Sequence, residues 1–89
     1  MKAVRLSIQG RVQGVGFRWW TVRTARRLGL AGWVRNEDDG SVSAHAEGED
    51  GAVDALLAAC HHGPEQAAVR IVNATATTAE GSRSFIQRG

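Results

Sequence analysis

The hydrophobic period of this chain switches from two residues to about 3.6 and back, twice over, and that alternation limits the fold more than any single residue does. Val4, Leu6 and Ile8 share one side of an extended segment, with Arg5, Ser7 and Gln9 on the other. Glycines at 10, 14 and 16 punctuate a loop. Beyond it, Phe17 to Leu28 carries a helical pattern: Phe17, Trp20, Thr21, Thr24, Ala25 and Leu28 lie on one arc, and Arg23, Arg26 and Arg27 lie mostly outside it. Gly29 is placed to cap that helix.

Leu30 to Asn36 reads as the next strand and Asp38-Asp39-Gly40 as a turn. In the strand that follows, Val42, Ala44 and Ala46 alternate with Ser43, His45 and Glu47, which predicts one buried and one wet face. A second helix starts near Asp50, carries Val53, Leu56, Leu57 and Cys60 on one face, and is stopped by Gly63-Pro64. Val69 to Thr75 offers another strand and Ser84 to Arg88 a short last one, with Ala76 to Arg83 only weakly patterned between them. The order β-α-β-β-α-β predicts an α+β fold, a ferredoxin-like α/β sandwich with two helices on one face of an antiparallel sheet. That fold hosts many unrelated functions, so function must be read from a site.

At 89 residues the chain is expected to form a single domain over 1–89, with room for one modest core but not for a separate cofactor domain. No apolar run approaches the length that spans a bilayer. Arg5 falls where a signal peptide would be apolar, so the N-terminus reads as a strand. The lone cysteine, Cys60, excludes an intramolecular disulfide framework and a zinc site built from several cysteines, and the default location is cytoplasmic. Ten of the eleven basic residues are arginine, Lys2 being the exception, and abundant Ala, Gly and Arg together make codon composition the simplest source of that bias.

The stretch from Gly10 to Arg18, GRVQGVGFR, lies where a strand hands over to a helix, a position where backbone N–H groups and the helix dipole converge. Gly14 and Gly16 permit a sharp turn that brings amides close to a ligand, and Arg18 adds a forked, permanently charged guanidinium. Taken alone, the loop is equally well a Gly-rich connection with a solvated arginine at its end. A cation at the positive end of a helix is locally unfavourable, however, and points to an anionic partner. A nucleotide-binding Walker loop requires Gly-Lys followed by Ser or Thr, which is absent. A dinucleotide fingerprint fails as well, because Trp19 stands at its third glycine position.

GRVQGVGFR, together with ARRLGLAGWVRN at 25–36, DGSV at 39–42, AEG at 46–48 and GP at 63–64, resembles the acylphosphatase family across nearly the whole chain. The resemblance implies a cofactor-free and metal-free enzyme that hydrolyses acyl phosphates to carboxylate and inorganic phosphate. It implies that Val12, Gln13, Gly14, Val15, Gly16, Phe17 and Arg18 cradle the phosphate, with Arg18 binding it and Asn36 positioning the attacking water. A small-molecule substrate, monomeric state, and no nucleic-acid or membrane partner go with that reading. The match is weakest after Gly63, where Asn73 to Gly81 lacks a clear counterpart of the family's fourth strand and following turn, and Trp19 and Trp20 are bulky enough to narrow the pocket rim.

Other candidates read as structural. His61 and His62 point in different directions on a helix end and suit solvent better than a metal. His45 falls on the wet sheet face. Glu37, Asp38 and Asp39 suit a solvated turn, and Arg35 points to the sheet face opposite Asn36. Cys60 lies on the apolar arc of the second helix with no basic partner to activate it. The rival readings are a non-catalytic module that binds a small anion, and an RNA-binding module of the same element order. Against the second, the strands carry only Trp33 and Phe85 as aromatic rings.

Overall fold

A computed structural model describes all residues from Met1 to Gly89. The chain runs β1 (Lys2–Arg11), α1 (Phe17–Arg27), β2 (Ala31–Asn36), β3 (Val42–Gly48), α2 (Asp50–Cys60), β4 (Ala68–Ala76) and β5 (Phe85–Arg88). The strands form one sheet in the order β4-β1-β3-β2-β5. β1 pairs antiparallel with β3 and β4, and β2 pairs antiparallel with β3. β5 runs parallel to β2, so the sheet is mixed where the sequence predicts a wholly antiparallel one. The chain returns from the far edge, β4, through residues 77–84, and approaches β2 from the end that makes the pairing parallel.

The inward alternation of β1 and β3 builds the core. Val4, Leu6, Ile8, Val42, Ala44 and Ala46 are buried with Val34 against Phe17, Val22 and Ala25 of α1 and Val53, Leu56 and Cys60 of α2. Val22, outside the arc drawn on the sequence, is buried as well. Gly29 carries a positive φ, and the N–H of Leu30 closes the end of α1 on Ala25 O at 2.9 Å. No helix is long and apolar enough to cross a membrane.

The sheet face opposite the helices is not wet at its centre. His45 is 0% exposed and Glu47 6% exposed, which corrects the expectation for this face. Arg5, His45 and Trp33 stand in register across β1, β3 and β2. The segment 77–84 folds over them, because the Glu47 carboxylate accepts the backbone N–H groups of Glu80 (2.7 Å) and Ser82 (2.9 Å). His45 Nε2 lies 2.6 Å from Glu47 Oε2 and its Nδ1 3.8 Å from Glu80 Oε2. Trp33 donates its indole N–H to Glu80 at 3.1 Å and packs beneath the guanidinium groups of Arg5, Arg35 and Arg88, each 4.8–4.9 Å from the ring.

Candidate active site

β1 runs on through Gly10 to Arg11, with a register shift against β4 between Gln9 and Gly10, so the connection to α1 is only residues 12–16. Two of its glycines need left-handed backbone: Gly14 has φ 74° and Gly16, the N-cap of α1, φ 80°. A side chain at either would meet no atom within 4 Å, so conformation rather than space demands glycine there. No side chain caps α1, no acidic residue occupies its first turn, and its first N–H groups are left facing the loop.

A cavity of about 130 Å³ lies at this junction, lined by Val12, Gly14, Gly16, Phe17, Arg18, Trp19, Asn36 and Gln87. Arg18, in the first turn of α1, and Asn36, at the end of β2, therefore meet in one cavity. Gln13 and Val15, also expected at the phosphate, do not line it. Val15 packs against the core, and the Gln13 side chain turns towards the β2–β3 connection, donating from Nε2 to Glu37 O at 2.8 Å and Ser41 O at 3.0 Å. Trp19 sits at the lip, 58% exposed, whereas Trp20 packs inward against Phe17. Gln87 had no signal in the sequence, because it reaches the cavity only through the parallel pairing of β5 with β2.

The polar groups of the cavity differ in their partners. Arg18 Nη1 donates to Gly89 O at 2.6 Å. Asn36, at the end of β2, has its Oδ1 buried with no hydrogen-bond partner, an arrangement that is costly unless a donor arrives. Arg35 points to the other face, stacked on Trp33 and bonded to Glu37 Oε2 at 2.7 Å. Asp39 Oδ1 accepts both the N–H and the hydroxyl of Ser41, so the acidic turn is spent on its own closure. Cys60 is buried, and its thiol is pushed up to about 12 by that burial, which removes it as a nucleophile at neutral pH. His61 and His62 are exposed, and no three His, Cys, Asp or Glu side chains are grouped to hold a metal ion. A larger open groove of about 620 Å³ runs between Gln9–Arg11, Asp39–Ser41 and Ala68–Arg70, but it contains neither Arg18 nor Asn36.

The acylphosphatase family model matches residues 4–86, which include the whole loop and both polar residues of the cavity. This chain belongs to the acylphosphatase family. An acylphosphatase from Nocardioides sp. is 54% identical over 83 residues, 93% of this chain and 84% of that one. One from Rhodospirillum rubrum is 48% identical over 88 residues, 99% of this chain and 97% of that one. The crystal structure of acylphosphatase from Bacillus subtilis matches with a TM-score of 0.97 at 37% identity, covering all of both chains. The enzyme function is acylphosphatase, hydrolysis of acyl phosphates to carboxylate and phosphate, and the fold is the family's ferredoxin-like one.

Proposed function

We propose that the backbone amides of residues 12 to 18 and the Arg18 guanidinium hold the phosphoryl group of an acyl phosphate, and that Asn36 orients the water that attacks it. The observation that carries this reading is the buried, unpartnered Asn36 Oδ1 in the same cavity as the glycine turns and Arg18. A carbonyl oxygen there accepts a hydrogen bond from the water and fixes the water's lone pair towards phosphorus, without being basic enough to remove the proton. The amides and Arg18 offset charge on the non-bridging oxygens. As the water oxygen bonds to phosphorus, the bond to the acyl oxygen breaks and the carboxylate leaves with its electron pair. The water's proton passes to a phosphate oxygen, giving inorganic phosphate. A carboxylate is a weak base, so its departure needs no acid from the protein.

On this reading residues 1–89 form one catalytic domain, a cytoplasmic monomer that acts without metal or cofactor. The contacts address the phosphate and none reads the acyl side, which supports broad acyl tolerance. A nucleic-acid or membrane partner is not part of this reading: Trp33 is covered by three arginines and offers no free ring for a base to stack on. The test is carboxylate release from an aryl acyl phosphate by purified protein, with ATP as a control and inorganic phosphate as inhibitor. Hydrolysis of the acyl phosphate alone, inhibited competitively by phosphate, is expected. Purely noncompetitive inhibition would place the anion site elsewhere, and cleavage of ATP at a comparable rate would refute the acyl-phosphate assignment.

A further inference from the structure

Arg18 and the amides belong to the loop and α1, while Asn36 belongs to β2, so the proposed reaction depends on something fixing one against the other. Among residues 12–16, Val12 and Val15 have apolar side chains and Gly14 and Gly16 have none. Gln13 alone has a polar one. Its Nε2 donates both hydrogens across to the sheet, one to Glu37 O at 2.8 Å and one to Ser41 O at 3.0 Å. These are the carbonyls that flank the β2–β3 turn, directly after Asn36. They are already tied together: the N–H of Glu37 donates to Ser41 O at 2.9 Å and that of Gly40 to Glu37 O at 3.2 Å. The turn is therefore a closed unit, and Gln13 clips the loop onto it.

We propose that Gln13 is a positioning residue, whose side-chain amide sets the distance between the phosphate-holding loop and the water-holding Asn36. The inference rests on the roles given above to the loop and Asn36. Only a primary amide has two donor hydrogens on one atom without charge, which is what two neighbouring carbonyls require. A lysine would add a cation, and a carboxylate would set acceptor against acceptor. Without the clip the loop keeps its own glycine turns and Arg18, so phosphate still binds. What is lost is the registration of Asn36, and a misplacement of about 1 Å can lower turnover by as much as about 10²-fold.

The experiment is a double-mutant cycle on Gln13→Met, which keeps the length and bulk of the side chain but not its donors, and Asn36→Ala. kcat, KM and the competitive inhibition constant for inorganic phosphate are measured for both singles and the double. Gln13→Met is expected to lower kcat by roughly 10-fold or more with the phosphate constant within about twofold of the parent. In the Asn36→Ala background the same change is expected to have little further effect on kcat. Full turnover in Gln13→Met, additive losses in the double, or a phosphate constant that weakens in step with kcat would each overturn the positioning role. Undiminished turnover in Asn36→Ala alone would instead overturn the role of Asn36, so the two failures are told apart.

Discussion

Arg18 and Asn36 share one cavity, and on the proposed reading they bear on different terms of the rate. Arg18 is the only cation lining it, so Arg18→Ala is expected to weaken phosphate binding and turnover together, and Arg18→Lys to restore little, because a point charge does not reproduce the planar fork. Asn36→Ala leaves the amides and Arg18 in place. Phosphate affinity should then stay near the parent value while kcat falls by about 10²-fold, the scale of losing one preorganised polar contact. Phosphate titration beside steady-state rates decides this, and an Asn36→Ala protein with parental kcat would refute the assignment. Cys60 is the contrasting residue. Fully buried and with its thiol pushed up to about 12, it fills space, so Cys60→Ala should lower unfolding free energy by about 1–3 kcal/mol while kcat stays intact. Denaturant unfolding and a turnover assay on the folded variant check both halves.

At the scale of elements, the sequence was most legible where one side of a segment meets the core. The alternation of Val4, Leu6 and Ile8 and the arc of Val53, Leu56 and Cys60 mark β1 and α2 correctly because burial on one face imposes the period. Residues 77–84 were illegible for the opposite reason. They cover the sheet through backbone N–H groups held by Glu47, and a backbone donor leaves no trace in side-chain pattern. The same concealment put His45 on a wet face, and hid Gln87 from the site. In the loop, glycine spacing and Arg18 were readable, whereas the outward turn of the Gln13 side chain was set by partners more than twenty residues away. The Glu47 latch makes its own forecast. Burial raises its carboxyl pKa, but the His45 ring and the N–H groups of Glu80 and Ser82 together hold it below the ordinary value of 4.5. A carboxylate lowered by folding stabilises above its unfolded pKa, and that contribution is lost as pH falls through the folded one. Protection of the Glu80 and Ser82 amides, taken relative to the intrinsic exchange rate at each pH, should therefore fall as the pH drops below about 4.5. Glu47→Gln should show weaker protection already at neutral pH and lose this acid step. Equal protection in parent and variant at neutral pH would show that other contacts hold the segment.

For the whole molecule, 89 residues support only one small core, so stability should respond strongly to anything that binds the folded state alone. The loop is such a site on the proposed reading, since its converging amides exist only when β1, α1 and β2 are assembled. Phosphate at 100 times its dissociation constant would add about 2.7 kcal/mol. In a domain of this size each kcal/mol moves the melting temperature by about 4–8 °C, so a rise of roughly 10–20 °C is expected in saturating phosphate. Sulfate and phosphate also stabilise proteins generally by exclusion from their surfaces, and the comparison that isolates binding is Arg18→Ala in the same buffers. That variant should keep the general effect and lose the saturable part. Chelation supplies the matching control: with no three metal-ligating side chains grouped together, neither the melting temperature nor turnover should change after exhaustive treatment with a chelator. Activity lost to the chelator and restored by a divalent ion would overturn the metal-free mechanism, while an equal phosphate-induced rise in parent and Arg18→Ala would mean that the anion is held somewhere other than the cavity shared with Asn36.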